Sequence, residues 1–267
     1  MLSICAVLVA RNEADYLKVL LPLLASQNID VAIIDNESTD NSVSLYTQLS
    51  PDPVIMIEFL PYRGFVSLWD QLEARRKIYT TLKHDWLILH SPDEVLEHRL
   101  RGRSLRDAIE EADAEGYNGL NFDEFVFLPE PEQDLRGKDY CSDILRYYFF
   151  EPYKNRLNRA WKNGLGFEDQ SGGHRLSGGQ LRISPISHVL RHYIVLGYEH
   201  ALAKYLNRKF DEVDLKLGWH DNRRNFTRAN LTIPAKNEFL QCLGSSDSKS
   251  FCKDHPSGKH YWEWPDE

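Results

Sequence analysis

The sequence contains few cysteines and no excess of basic charge. Its four cysteines, spread over 267 residues, lie at positions 5, 141, 242 and 252. Because small secreted domains depend on closely spaced disulfides, this spacing excludes a disulfide scaffold and predicts a reduced, cytoplasmic setting. The 32 basic and 40 acidic side chains give a formal net charge of −8. That balance excludes a general attraction to nucleic acid or to anionic lipid, and it leaves a peripheral contact with a membrane open.

The sequence also lacks a long apolar segment. The apolar run at the N-terminus ends at Arg11, well short of the about 18 residues that a membrane span requires. We therefore expect a chain that starts as mature protein at residue 1 and is not permanently inserted in a membrane. At roughly 100 to 200 residues per domain, the length predicts one large domain, or one domain with an appendage.

Apolar runs and amphipathic stretches alternate over the first 90 residues. Strands are predicted over 4–10, 31–34, 54–60 and 86–90, and helices over 15–26, 42–49 and 65–82. This alternation predicts an α/β protein with a Rossmann-like, mostly parallel sheet and helices on both faces. Farther along, the pattern predicts a charged, solvent-facing helix over 105–115, strands over 119–128 and 144–151, and a helix over 198–210. The other residues after position 129 are expected to be irregular.

Polar segments follow three of the predicted strands. They are residues 11–13, 35–42 and 91–94. Ligands of such sheets bind beyond the carboxyl ends of the strands, so we expect these segments to converge on one crevice. A structural alternative holds for Asp35 and Asp40, because aspartates in polar loops form Asx turns and cap helices.

Two of these segments resemble a known family. The first strand with residues 11–13, and the second strand closed by Asp-Asn-x-Ser-x-Asp at 35–40, resemble the nucleotide-sugar-binding half of family-2-like glycosyltransferases with the GT-A fold. Residues 63–64, followed by Arg75, are similar to the segment that precedes the metal-binding strand of that family. The resemblance covers 3–97, with a weaker likeness as far as residue 210. It therefore implies one domain over 1–210, with halves at 1–97 and 98–210, and an extension over 211–267 packed on that domain.

The resemblance implies transfer of a sugar from a nucleotide-sugar donor to a hydroxyl acceptor, with inversion. The residues that it assigns to nucleotide-sugar binding are Ala10, Arg11, Asn12, Glu13, Asp35, Asn36, Ser38, Arg63, Gly64, Arg75, Ser91 and Pro92. A carboxylate at a strand end, such as Asp35, accepts hydrogen bonds from a base or a ribose hydroxyl, and Arg11 offsets negative charge nearby. No organic cofactor is implied.

The fourth strand departs from the family pattern. Family members usually end it with Asp-x-Asp, whose carboxylates bind a divalent ion that bridges the donor diphosphate, but here the triplet is Ser91-Pro92-Asp93. Hard oxygen ligands suit Mg²⁺ or Mn²⁺, so Asp93 is the principal predicted metal ligand. His192, and with less support His174, is the candidate that compensates for the missing acid. The loss of one charge leaves a weaker metal site or a reduced metal dependence open.

The transfer also needs a base and contacts for the diphosphate. Residues 166–169, Gly-Phe-Glu-Asp, resemble the element that carries the family's general base, so Asp169 is the first candidate and Glu168 the second. An exposed loop acid is the alternative for Asp169. Other candidates are Asp123 and Glu124 for the base, and Arg191, Lys204 and Arg208 for the diphosphate.

The predicted function is thus a divalent-metal-assisted glycosyltransferase of the kind used in polysaccharide biosynthesis. Its acceptor is a glycan, a lipid-linked molecule or a small molecule with a hydroxyl group. Ser91 motivates an alternative, a nucleotide- or glycan-binding protein on a transferase scaffold that has lost activity. A sugar nucleotidyltransferase is weaker, because the usual glycine-rich triphosphate loop near the N-terminus is absent from this sequence. The sequence specifies neither the sugar nor the base.

Overall fold

A computed structural model describes residues 1–155, 157–170 and 173–264, with the side chains of 168–170 left aside. The first elements are β1 (Ile4–Ala10), α1 (Ala14–Ser26), β2 (Asp30–Asp35), α2 (Ser42–Gln48), β3 (Val54–Phe59), α3 (Leu68–Thr81) and β4 (Trp86–His90). The predicted alternation of strands and helices is confirmed. The third helix begins later than predicted, because the Ser67 side chain accepts a hydrogen bond from the Asp70 amide and so caps it.

The second half of the chain contains more strands than the sequence pattern predicts. Its elements are β5 (Glu94–Glu97), α4 (Leu105–Ala114), β6 (Gly119–Phe127), α5 (Tyr140–Asp143), β7 (Arg146–Phe150), β8 (Asn158–Lys162), β9 (Glu168–Gln170), β10 (Arg175–Ser177), β11 (Ile183–His192), α6 (Tyr198–Tyr205), α7 (Glu212–Lys216) and β12 (Gln241–Cys242). The prediction of an irregular region is wrong for β8 and β11, which carry polar residues that hide the strand pattern. Short 3₁₀ turns lie at Asp221–Arg223 and Tyr261–Glu263.

Helix α6 is shorter than the predicted 198–210. The Val66 amide donates to the carbonyl of Lys209, and the Asp211 amide donates back to Val66. Because residues 209–211 pair with an extended segment, the helix ends at Tyr205. Pairing with a distant segment overrides the local apolar pattern here.

The main sheet combines a parallel part with an antiparallel part. Its strand order is β12-β7-β6-β8-β4-β1-β2-β3. Strands β4, β1, β2 and β3 are mutually parallel, whereas β8 pairs antiparallel with both β4 and β6. Strand β11 runs parallel to β6 and antiparallel to β5. This pairing brings the end of β11 beside the beginning of β5, just after β4.

Helices cover both faces of the parallel part. Ala6 and Leu8 of β1 belong to a cluster with α1, α2 and α4, while Val7 and Val9 belong to a cluster with Ile78 of α3. Successive residues of a strand point to opposite faces, so α3 lies on one face and the other three helices lie on the other. The sequence predicts a solvent-facing helix over 105–115. This prediction is wrong for one side of α4, which buries Leu105, Ala108, Ile109 and Ala112.

Residues after 210 pack on the antiparallel part of the sheet. Strand β12 pairs with β7, and Tyr261 and Trp262 are buried in a cluster with Val126 and Tyr148. Among the helices that the structure describes, none is long and apolar enough to cross a membrane.

Candidate active site

A cavity of about 550 Å³ opens at the carboxyl ends of β1 and β4. The loops after β1, β2 and β4 contribute to its wall, as do the ends of β11 and α6 and the C-terminal segment. Six basic side chains are among the residues that line it, namely Arg11, Arg75, Arg159, Lys204, Arg208 and Arg223. Five carboxylates, Glu13, Asp93, Glu94, Glu124 and Glu263, line it as well. The cations outnumber these acids although the whole chain carries a net charge of −8, so the cavity is a candidate place for an anion.

The loops after β1 and β2 are joined by hydrogen bonds. The Asn12 side-chain oxygen accepts from the amides of Thr39, at 2.7 Å, and Asp40, at 3.3 Å. The Asn12 amide donates to the Ser38 hydroxyl, and the Asp40 carboxylate accepts from the Ala14 amide. Asn12 has φ of 56°, a left-handed conformation that asparagine tolerates better than most residues. Asn12, Ser38 and Asp40 therefore fix the shape of this wall.

Arg11 lies across the same junction. Its guanidinium donates to the carbonyls of Asn36 and Glu37 and lies 3.4 Å from the centre of the Tyr62 ring. Arg11 lines the cavity, whereas Tyr62 lines a neighbouring pocket and supports the guanidinium from that side. Arg11 therefore gives this end of the cavity a planar, cationic group, which suits a base or a phosphate.

The structure brings some predicted nucleotide-sugar residues together and leaves others apart. Arg11, Glu13, Asn36, Arg75, Ser91 and Pro92 line the cavity, together with Asp93 and His192. Within the described lining, Ala10, Asn12, Asp35, Ser38, Arg63 and Gly64 do not appear. The buried Asp35 carboxylate accepts from the Ser38 amide at 2.9 Å, which is the contact of an Asx turn. Arg63 pairs with Asp70 and with Asp211.

Arg75 supports the cavity wall from behind. It is 6% exposed, and its guanidinium donates to the carbonyl of His90 at 3.2 Å. Next to it, Arg159 of β8 forms a buried ion pair with Glu94 of β5 at 2.5 Å and donates to the carbonyl of Gly173. These buried cations hold the end of β4 and the start of β5 in place.

Asp93 is at the centre of a group of charged side chains. The Lys204 ammonium donates to its carboxylate at 2.8 Å, and His192 Nε2 lies 3.4 Å from the same oxygen. His192 Nδ1 lies 2.6 Å from the Glu124 carboxylate, so Glu124 orients the imidazole toward Asp93. Burial opposes the charged form of Asp93, but Lys204 and His192 outweigh burial and hold the pKa of Asp93 well below its usual range.

Lys204 and Glu13 extend this group toward β1. The Lys204 ammonium lies 4.0 Å from the Glu13 carboxylate. Burial alone lowers the pKa of Lys204, but Asp93 and Glu13 outweigh it and raise that pKa, so the ammonium stays charged. Burial raises the pKa of Glu13 to about 7, an effect that Lys204 opposes and Asp93 reinforces. Glu13 therefore takes up or releases a proton near neutral pH.

Two arginines from the end of the chain complete the cationic wall. Arg208 lies over the Tyr205 ring at 5.1 Å, and Arg223 contacts His220 Nδ1 at 2.6 Å. In the described ranges neither guanidinium forms an ion pair with a carboxylate. Sequence reasoning missed Arg223, since the segment after α7 has no periodic pattern; the adjacent basic pair at 223–224 was the available signal.

The donor set at Asp93 does not complete a divalent-metal site. Asp93 and His192 are close together, but the Asp93 oxygen that faces His192 already accepts from Lys204. Over residues 1–155, 157–170 and 173–264, no group of three or more His, Cys, Asp or Glu side chains is arranged to hold a metal ion. A buried ammonium in contact with the principal predicted ligand occupies the place where a cation would bind.

The candidate bases fall in different places. The side chains of Asp169 and Glu168, on β9, lie outside the described part of the structure. Glu124 lines the cavity beside His192, whereas Asp123 pairs with Lys253 at a different surface. Of the diphosphate candidates, Lys204 and Arg208 line the cavity, but Arg191 is buried against Glu97 at 2.7 Å.

Comparison with known proteins gives structural likenesses at low sequence identity. No protein-family model and no curated protein sequence matches this chain. TarS from S. aureus is 13% identical, over 83% of this chain and 44% of that chain, with a TM-score of 0.45. TarS 1-349 in complex with UDP is 13% identical, over 79% and 68%, with a TM-score of 0.46. Mannosyltransferase PcManGT from Pyrobaculum calidifontis, in complex with GDP-Man and Mn²⁺, is 14% identical, over 45% and 35%, with a TM-score of 0.33. This chain therefore spans less than half of the first and third of these proteins.

Proposed function

We propose that this protein is a glycosyltransferase that moves a sugar from a nucleotide-sugar donor to a hydroxyl acceptor. One observation carries the proposal. The loops after β1, β2 and β4, which resemble the nucleotide-sugar-binding segments of GT-A enzymes, share a single cavity with six basic side chains. A nucleoside diphosphate has a planar base and two adjacent phosphates, and this wall offers a stacked arginine at one end and further cations beyond it.

The donor lies along the wall in a defined direction. Its base and ribose lie against Arg11 and Asn36, and its diphosphate lies toward Lys204 and Arg208. Arg11 and Asn36 already contact one another through the Asn36 carbonyl, so this part of the site is formed before the donor binds. A preformed site loses less conformational entropy on binding.

The cavity also suits the chemistry of transfer. As the acceptor oxygen bonds to the anomeric carbon, the bond from that carbon to the diphosphate breaks and negative charge grows on the leaving group. Fixed cations stabilise that charge in the transition state. A carboxylate takes the acceptor's proton; Asp169 is the first candidate and Glu168 the second, and inversion follows from a single displacement. The family resemblance implies Mn²⁺ or Mg²⁺ at Asp93 and His192, but the contact of Asp93 with the Lys204 ammonium argues against a metal ion there.

Binding is tested with a thermal-shift panel. UDP, GDP, dTDP, CMP and their sugar conjugates are added to the wild type and to two variants, Arg208→Met in the cavity and Lys209→Met as the exposed neighbour. A ligand that binds the folded state raises its Tm. We expect one nucleotide and its conjugates to raise the Tm of wild type and of Lys209→Met, with a smaller rise for Arg208→Met. Equal rises in Tm for all three proteins would contradict binding of the diphosphate in this cavity.

A second function is binding without transfer. Ser91 favours it, because the position that carries the first acid in related enzymes is neutral here. A nucleotide sugar that binds but is never converted to nucleoside diphosphate would identify this function. Formation of a nucleotide sugar from a nucleoside triphosphate, with release of pyrophosphate, would instead identify a nucleotidyltransferase.

A further inference from the structure

We propose that the Lys204 ammonium replaces the divalent metal ion at this site, so that the donor diphosphate binds directly to Lys204 without metal. The inference rests on the proposed function for the identity of the donor. It concerns the residue that supplies the positive charge beside Asp93.

Lys204 is held in position before any ligand binds. It is in the last turn of α6, and its side chain is 8% exposed. Its ammonium donates to Asp93 at 2.8 Å and lies 4.8 Å from the centre of the Tyr16 ring. An ammonium has three N–H donors, and Asp93 accepts the one hydrogen bond that the structure describes for it. The remaining donors are available to the phosphate oxygens of a ligand in the cavity.

The surrounding charges leave room for an anion rather than for a second cation. The Lys204 ammonium lies 2.8 Å from Asp93 and 4.0 Å from Glu13, and Arg208 and Arg223 add positive charge on the same wall without carboxylate partners in the described ranges. A divalent ion at Asp93 would have to displace the buried ammonium and then lie close to it, which like-charge repulsion disfavours. A diphosphate is an anion, so these cations attract it rather than repel it.

The sequence change at the end of β4 agrees with this arrangement. Ser91 is neutral where related enzymes have an acid that binds the metal. With that acid absent, Asp93 is the one carboxylate left in the triplet, and a single ammonium neutralises it. The neutral Ser91 and the buried Lys204 ammonium thus fit one arrangement, in which a fixed side-chain cation supplies the positive charge beside Asp93.

The direct test is calorimetric titration of metal-free protein. Inorganic pyrophosphate, the nucleoside diphosphate selected by the thermal-shift panel and the matching nucleoside are each titrated in EDTA and in excess Mn²⁺; Mn²⁺ alone is titrated as well. For wild type we expect pyrophosphate and the nucleoside diphosphate to bind equally, within about twofold, in both conditions. We expect no binding of Mn²⁺ alone.

Variants assign the effect to Lys204. Lys204→Met should weaken the affinity for pyrophosphate and for nucleoside diphosphate by about tenfold or more in EDTA, since a charge-assisted hydrogen bond is lost. The affinity for the nucleoside should not change. Because this variant frees Asp93 beside His192, Mn²⁺ should now bind and restore part of the lost affinity. Lys209→Met, an exposed lysine outside the cavity, should behave as wild type. The double variant Lys204→Met with Asp93→Asn removes both charges of the pair and so leaves no unpaired buried charge that could destabilise the fold. It should still fail to bind pyrophosphate.

Each contrary result has a distinct meaning. Loss of nucleoside diphosphate binding in EDTA, with recovery in Mn²⁺, would overturn the inference and leave the proposed function standing. Unchanged pyrophosphate affinity in both Lys204 variants would also overturn it. Pyrophosphate binding that depends on Lys204, with no nucleotide or nucleotide sugar bound in any condition, would support the anion site and refute the proposed function.

Discussion

In the proposed transfer Asp169 removes the acceptor's proton, so turnover should depend on this side chain. Asp169→Asn keeps the size of the side chain but removes its basicity. We expect kcat to fall by about a hundredfold or more, the usual contribution of a general base, with donor affinity unchanged. Asp143→Asn, an exposed acid elsewhere, is the matched control. Both are measured as initial rates of nucleoside diphosphate release.

If Asp169→Asn keeps its activity, Glu13 is the next candidate for the base. Burial brings the pKa of Glu13 to about 7, within the range in which a carboxylate accepts a proton efficiently at neutral pH. Full activity of Asp169→Asn, together with loss of kcat in Glu13→Gln, would contradict the assignment and make Glu13 the base.

Single residues also show what sequence alone predicts. Asp93 was recognisable because it follows a strongly apolar strand and lies where the family that the sequence resembles has a metal-binding motif. Its partner Lys204 is 111 positions away along the chain. The sequence offered Lys204 as a candidate diphosphate contact, yet a charged residue on a helix normally faces solvent. The contact with Asp93 depends on how β11 and α6 pack, which no local pattern encodes.

The join between the loops after β1 and β2 is a property of two elements together. Asn12→Gly removes the hydrogen bonds to Thr39 and Asp40, and we expect it to cost about 1–3 kcal/mol of unfolding free energy. Asn12→Ala loses the same bonds and must also hold φ at 56°, so it should cost about 1–2 kcal/mol more than the glycine variant. Urea denaturation measures both. Equal stabilities of the two variants would show that the left-handed conformation is not maintained.

The ion pair between Glu94 and Arg159 connects β5 to β8. Both side chains are at least 94% buried, and their atoms approach to 2.5 Å. Arg159→Met leaves Glu94 buried without its partner, and the expected cost is about 3–5 kcal/mol. Glu94→Gln combined with Arg159→Met should recover much of that loss in urea denaturation. A cost below about 1 kcal/mol for Arg159→Met would mean that the pair is open to solvent.

Strand prediction succeeded and failed for a physical reason. Strands β1, β2 and β4 are buried on both faces, so each is an apolar run that the sequence reveals. Strand β8 contains Asn158, Arg159 and Lys162, and β11 contains Pro185 with several polar residues. Arg159 and His192 face the cavity, and Arg191 forms a buried ion pair with Glu97. Asn158 instead hydrogen-bonds to Asn121 within the sheet, and Lys162 pairs with Asp113 near the surface. The site therefore accounts for part of the polar residues that obscured the strand pattern, and contacts within the sheet and at the surface account for the rest.

Four histidines, two of them buried and two half-buried, make the stability of the whole molecule depend on pH. Burial lowers the pKa of His90 and His188 to about 4, and that of His200 and His220 to about 3. As the pH falls below 6.5, the unfolded chain binds protons that the folded chain does not, so stability is present above pH 6.5 and is lost toward pH 4. Glu13 acts in the opposite direction between about pH 4.5 and 7, because its pKa is raised.

The expected loss between pH 7 and pH 5 is about 1–2 kcal/mol for each histidine, offset in part by Glu13. Urea denaturation at several pH values between 7 and 5 measures this loss of stability. His188→Gln, which lies outside the proposed site, should reduce the slope of stability against pH by about one proton. A slope that is flat from pH 7 to 5, or unchanged in this variant, would contradict the burial of these imidazoles.

Transfer itself is tested most directly by release of nucleoside diphosphate. The protein is incubated with each nucleotide sugar that binds it, with glycan, lipid-linked and small-molecule hydroxyl acceptors, and the nucleotides are separated by anion-exchange chromatography. The proposal predicts release from one donor that increases with one class of acceptor, and loss of that release in Lys204→Met with Asp93→Asn. A bound nucleotide sugar that stays intact with every class of acceptor would contradict transfer and leave binding as the function.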